Sequence, residues 1–173
     1  MSAKRHAQAA AGARPAAALR LRRARRTDLE ALVELWLALC EHHAELTPLF
    51  RLGPDARSEL RRLLGDQLGD RDQACFVAET PGARLAGFCT VRIDRGPPIL
   101  EERERAEILD LFVRPEQRHA GTGGALVGAA LDWLRARGTR RVEVRVLTRN
   151  AIGQGFWRAH GFGSYMDVLE RPL

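Results

Sequence analysis

Over residues 19–24 apolar and polar positions alternate, which predicts a strand. The period then changes. Leu29, Leu32, Val33, Trp36, Leu39 and Cys40 recur at helical spacing, and Thr27 with Glu30 three residues on reads as a capping box opening that helix. Gly53-Pro54-Asp55 opens a second helix, with Leu60, Leu63, Leu64 and Leu68 as its buried stripe. Residues 74–79 (ACFVAE) and 85–93 (LAGFCTVRI) predict a hairpin around Pro81-Gly82. A polar, Pro-bearing loop spans 95–105. Residues 107–113 (EILDLFV) are then almost all apolar, which predicts a central strand covered on both faces. A Gly-rich turn and an amphipathic helix closed by Gly138 follow. Residues 141–147 (RVEVRVL) alternate, with Val142, Val144 and Val146 inward and Glu143 and Arg145 outward. A short helix from Asn150 and a last strand near 164–170 complete the order β-α-α-β-β-β-α-β-α-β. The fold class is therefore α/β, an α+β mixed sheet with helices on both faces.

A chain of 173 residues suits one domain with its own core, expected over 19–173. No apolar run approaches the ~18 residues a spanning helix needs, so no membrane role is expected. The net charge of +6 belongs to one end. Residues 1–26 hold eight of the 28 bases and no acid, leaving 20 bases against 22 acids beyond, a charge of −2 for residues 27–173. Residues 1–18 (MSAKRHAQAAAGARPAAA) are Ala-rich, lack a signal-peptide core and read as a disordered Ala/Arg-rich tail. A basic arm can touch nucleic acid, but the body has no basic stripe, so nucleic acid is not expected as the main partner. Cys40, Cys75 and Cys89 lie in apolar runs without a C-x-x-C, as core residues do in a reducing, cytoplasmic setting.

The chemistry concentrates in RHAGTGGALV, residues 118–127. A P-loop would need Gly-Lys-Ser/Thr at the helix start, but Ala125 follows Gly124. A dinucleotide fingerprint would need Gly where Leu126 stands and an acid where Leu147 and Thr148 stand. What remains is a turn whose glycines, Gly121 and Gly123, remove the Cβ atoms that would hold an anion away. Unpaired amides at the helix start and the helix dipole favour negative charge there, and Arg118 adds a full positive charge. A tight strand-to-helix turn with nothing bound is the plainer alternative.

Val113-x-Pro115, then Arg118-x-x-Gly121-x-Gly123, then Ala125-Leu126, resembles the coenzyme A loop of the GNAT superfamily of N-acetyltransferases. Asn150, Phe156-Trp157 and Gly161-Phe162 are similar to that superfamily's Asn…Phe-Tyr…Gly-Phe segment. The resemblance covers residues 19–170 and implies a GNAT-like acyl-CoA N-acyltransferase fold with acetyl-CoA as co-substrate and no metal. It implies that the amides of Leu111, Phe112 and Val113 hold the pantetheine arm and polarise the thioester carbonyl. The amides of Arg118, His119, Ala120, Gly121, Thr122, Gly123 and Gly124 would hold the pyrophosphate. Asn150 would reach the cofactor from across the gap, and Trp157 would pack near the sulfur.

The implied reaction is direct attack of an amine on the thioester in a ternary complex. An amine of pKa ~10 is mostly protonated at neutral pH, so a proton must be removed. Asp110 and Glu107 are the acids on the central strand. Asp110 interrupts an apolar run, and burial would raise its pKa towards a useful value; otherwise it pairs with an arginine or caps a loop. Leu109 stands where the family often has Glu, and Trp157 where it often has the Tyr that protonates the thiolate. The only tyrosine, Tyr165, falls on the expected last strand. Glu41-His42-His43-Ala44-Glu45 and Glu101, Glu102 and Glu104 suit either a solvated surface or attraction of a cationic amine. Adjacent histidines project about 100° apart on a helix, a poor chelating geometry. The expected acceptor is a small-molecule or protein amine, and a homodimer is allowed. A non-catalytic acyl-CoA-binding or sensor domain is the competing reading, and a basic-arm nucleic-acid binder the third.

Overall fold

The computed structural model describes residues 19–171. The expected tail over 1–18 lies outside the described residues. Five strands form one sheet in the order β1-β2-β3-β4-β5. They are β1 (Arg20–Arg23), β2 (Gln73–Glu79), β3 (Leu85–Arg95), β4 (Glu104–Val113) and β5 (Val142–Val144). Neighbours run antiparallel except β4 and β5, which are parallel because α3 (Thr122–Arg135) crosses over between them. No helix among the described residues is long and apolar enough to cross a membrane.

The pleat sorts the core into two layers. Ala74, Phe76 and Ala78 of β2 and Ala106 and Ile108 of β4 face α3 and α4 (Ala151–Ala159), where Leu126, Val127, Ala130, Leu134 and Trp157 meet them. Cys75, Val77, Phe88 and Phe112 face the other way, against Leu32, Val33, Leu35 and Leu39 of α1 (Leu29–Leu46) and Leu60 and Leu64 of α2 (Ala56–Gln67). A fully buried side chain of this kind contributes ~1.5–3 kcal/mol. Gly138 ends α3 in a left-handed conformation, φ +78°, with Thr139 N–H donating to Leu134 C=O at 3.2 Å, as the glycine's position predicts.

Several expectations are corrected. Residues 164–170 form no strand. β5 is three residues long rather than the seven of its alternating pattern, because β4 offers it partners only at Ala106, Glu107 and Ile108. Thr27 does not cap α1. The Asp28 carboxylate accepts instead from the Arg25 amide at 2.7 Å and from Arg22 at 2.7 and 2.9 Å, closing a turn ahead of the helix. Glu30 pairs with Arg61 at 2.6 Å and so ties α1 to α2. Leu63 is 46% exposed, since Leu60 and Leu64 alone of the α2 stripe reach deep into the core, with Leu68 at its edge. β4 is covered on both faces as expected, by α3 over Ile108 and by α1 over Phe112, but the other residues of 107–113 are only partly buried.

Candidate active site

β4 and β5 pair as far as Ile108 and Val144 and then part. Residues 109–113 run on with β3 on one side and no strand on the other. Within this free stretch the register against β3 slips: Thr90 opposes Asp110 while Val91 opposes Ile108, leaving Leu109 as the extra residue of a bulge. The bulge resets the alternation. Without it Asp110 would share the α3 face with Ala106 and Ile108; with it Asp110 joins Phe112 on the face covered by α1.

The alternation also assigns the backbone groups of β4. Arg114 N–H donates to Ala86 C=O of β3 at 2.8 Å, so the amide of Phe112 faces β3 too, and those of Leu111 and Val113 point into the open side. Phe112 is therefore removed from the amides expected to hold an extended ligand, and its ring is buried under α1. Val113 C=O, on the open side, accepts from Arg118 Nε at 3.0 Å, and the Arg118 guanidinium lies 5.8 Å from the Phe112 ring centre. The Arg118 side chain is thus folded back over the strand end.

The glycine turn joins β4 to α3. Gly121 is left-handed at φ +77°, and a Cβ built on it meets nothing within 4 Å. His119 is left-handed as well, at φ +64°, and with Ala120 it is exposed. Ala125 N–H is the first to close a helical bond, to Gly121 C=O at 3.0 Å, so the amides of Thr122, Gly123 and Gly124 precede the helical ladder and face outward. Thr122 is buried and its hydroxyl donates to Gln117 C=O at 3.2 Å. Gly123 and Gly124 also have a packing reason to lack side chains. A Cβ on Gly123 would stand 3.1 Å from Phe156 Cε2, and one on Gly124 would stand 2.7 Å from His160 Nε2. They let α4 close on the start of α3. Phe156 and His160, stacked with ring centres 4.2 Å apart, are the neighbours of the turn that the motif alone does not reveal.

Asp110 receives a hydrogen bond from the Thr90 hydroxyl at 2.6 Å. Burial pushes its carboxyl above the ordinary carboxylate range; the Thr90 hydroxyl that donates to it pulls the other way, as do Trp36 and His43. Glu107 is tied up: Arg92 Nη2 and Arg145 Nε each lie 3.2 Å from its carboxylate. The Asn150 carboxamide oxygen accepts from Gly153 N–H at 2.8 Å and caps α4. Trp157 is 8% exposed, packed edge-on to Phe156 and Phe162 at 5.1 Å each. Tyr165, off any strand, is 66% exposed, and its hydroxyl accepts from Arg141 Nη1 at 3.3 Å. Arg141 C=O in turn accepts from Ala106 N–H at 2.9 Å, so Tyr165 stands where β5 begins, at the opposite end from the gap. The structure therefore brings Leu111, Val113, Arg118 and Gly121–Gly124 together, places Asp110 on the α1 face of the same strand and leaves Tyr165 apart. Among the described residues no three His, Cys, Asp or Glu side chains converge as metal ligands. His42 lies 3.7 Å from Glu45, while the His43 ring stands 5.0 Å from the Phe50 ring.

A mixed sheet that splits beside a Gly-rich helix start defines an acyltransferase-like architecture, and the comparisons with known proteins agree. The sequence profile of the acetyltransferase (GNAT) family matches residues 31–162, and the chain belongs to that family. It is 40% identical over 63 residues to an uncharacterized N-acetyltransferase of Methanocaldococcus jannaschii, covering 36% of this chain and 28% of that one. It is 34% identical over 97 residues to the mycothiol acetyltransferase of Clavibacter michiganensis, covering 56% and 29%. The chain thus spans less than a third of the length of these curated relatives. Among solved structures, a Bacillus halodurans protein superposes with a TM-score of 0.78 at 19% identity, covering 88% of this chain and 99% of that one. A predicted acetyltransferase of Clostridium acetobutylicum, solved with acetyl-CoA, gives 0.76 at 15% identity, covering 90% and 96%.

Proposed function

We propose that this domain transfers an acetyl group from acetyl-CoA to a primary amine, of a small molecule or a protein, by direct attack in a ternary complex. The observation that carries the reading is the free edge of β4 from Leu109 to Val113, lying directly beside the outward amides of the glycine turn. The residues fit the co-substrate. The amides of Thr122, Gly123 and Gly124, with open space at Gly121, suit a pyrophosphate, and the amides of Leu111 and Val113 suit an extended arm. Acetyl-CoA would supply an activated thioester carbonyl. A backbone donor aimed at the oxygen of such a carbonyl lowers the barrier by ~3 kcal/mol.

On the acceptor side, Asp110 is the carboxyl available to draw a proton from the amine, since Glu107 is held by two arginines. No α4 hydroxyl is offered to the leaving sulfur, because Trp157 is buried in the core; its proton would come from water. That same feature favours the second reading, an acyl-CoA-binding or sensor domain without turnover. Calorimetry with acetyl-CoA tests the binding, and thiol release with a panel of primary amines separates the two readings. An amine-dependent rate well above hydrolysis supports the enzyme; uptake of acetyl-CoA without any such rate leaves the sensor. No heat at millimolar acetyl-CoA overturns both.

A further inference from the structure

His160 caps the end of α4 and abuts the glycine turn. Its Nδ1 lies 2.8 Å from Phe156 C=O. A carbonyl only accepts, so Nδ1 carries the proton and Nε2 is the ring nitrogen left free. The Phe156 ring, with its centre 4.2 Å away, stacks against the imidazole and fixes its plane. Nε2 falls 2.7 Å from the position a Cβ on Gly124 would take. Side chains on a helix lean towards its N-terminus, so that position lies beside the first turn of α3, where the amides of Thr122, Gly123 and Gly124 precede the helical ladder. The free nitrogen of a fixed, exposed ring and three unbonded amides are therefore neighbours.

We propose that His160 binds the pyrophosphate of acetyl-CoA through Nε2, in its imidazolium form. The proposal rests on the acetyl-transfer reading and adds a residue of α4 to its co-substrate site. Nδ1–H is committed to Phe156 C=O, so an N–H at Nε2 exists only when the ring takes a second proton. That N–H then donates a charge-assisted hydrogen bond to a phosphoryl oxygen held by the three amides. Bound diphosphate and ring proton favour each other, so affinity for the diphosphate rises as falling pH charges the ring. The surrounding charges leave room for this role. Arg118, the cation of the motif, is folded back on Val113 C=O at 3.0 Å. Residues 122–125 of the first turn of α3 carry no titratable side chain. His119, at the turn, is exposed and left-handed at φ +64°, and Arg158, two residues before His160 on α4, is exposed.

The experiment is calorimetry with acetyl-CoA at about pH 6 and about pH 8.5, on wild type, H160F and H160Q. Acetyl-CoA carries a phosphate monoester that titrates in the same range, so the variants are compared with wild type at each pH. H160F keeps an aromatic ring against Phe156 and has no ring nitrogen. It should bind ~10-fold more weakly than wild type at the lower pH and within about twofold of it at the higher, with a melting temperature close to wild type. H160Q, which is never charged, should show the same pH-selective loss. In NMR spectra near neutral pH, the His160 ring signals, assigned with H160F, should move towards imidazolium positions when acetyl-CoA is added. Equal affinity of H160F and wild type at the lower pH overturns the proposal. So does an equal loss at both pH values, which a packing role alone would produce, and so do ring signals indifferent to acetyl-CoA. Any of these outcomes with wild-type binding intact leaves the transferase reading standing. Absence of wild-type uptake at millimolar acetyl-CoA overturns both, so the two failures are distinguishable.

Discussion

Replacing Gly87 by alanine probes the geometry on which the split sheet depends. Gly87 opposes Val113 across β3 and β4. A Cβ there would stand 2.5 Å from Phe112 C=O, 3.1 Å from Val113 Cα and 3.2 Å from Val113 Cγ2. Two of those atoms are backbone and cannot turn aside as a rotamer can, so the strands must part. Overpacking of a close-packed interior costs ~1–3 kcal/mol, and the backbone contact puts G87A at the upper end. For a domain of this size that lowers the melting temperature by roughly 10 °C. The displacement also reaches Val113, whose amide and carbonyl face the open side, so acetyl-CoA affinity should fall even where the variant is fully folded. G128A is the matched control: Gly128 lies within α3 with nothing within 4 Å of an added Cβ, so alanine should stabilise by ~1 kcal/mol. Urea unfolding followed by circular dichroism measures both. A G87A midpoint equal to wild type would refute the close approach of the two strands.

Four further outcomes are expected. D110N should lower turnover ~10²-fold with little change in acetyl-CoA affinity, read by steady-state kinetics and calorimetry. The same variant should be more stable than wild type at neutral pH: the raised Asp110 pKa stabilises the fold below the ordinary carboxyl range and ceases to as pH rises through the folded value, so the advantage should vanish in acid. G121A, at φ +77° with free space around the new methyl, should cost ~1 kcal/mol of stability and weaken acetyl-CoA binding about tenfold, both measurable in one thermal-shift titration. R22M should destabilise at neutral pH by removing the guanidinium that joins Asp28 and Glu79. Arg22 holds both carboxyls below their ordinary values, so the deficit should shrink as pH falls through that range, and an unchanged deficit at low pH would count against the triad.

Local spacing made most elements legible. The helical stripe of α1, the hairpin of β2 and β3 and the Gly-rich start of α3 all follow from neighbours a few residues apart, and they appear where expected. The two strand departures share one cause. The alternation of residues 141–147 and of the last segment requires a partner strand, and no local pattern states that β4 stops offering one after Ile108. Asn150 is a strong helix cap, and that local role takes its carboxamide oxygen.

By itself, then, the sequence determined the element order as far as α4, the two-faced core, the Gly-rich turn at Gly121 and the presence of a lone acid at position 110 in an apolar run, because each is written in residue type and period. Tertiary structure decided which way that acid looks, since the Leu109 bulge exists only against β3. It decided that Gly123 and Gly124 make room for Phe156 and His160, and that Asp110 takes its hydrogen bond from Thr90 of the neighbouring strand. Those are contacts between segments far apart in the chain, and register and packing, not spacing, bring them together.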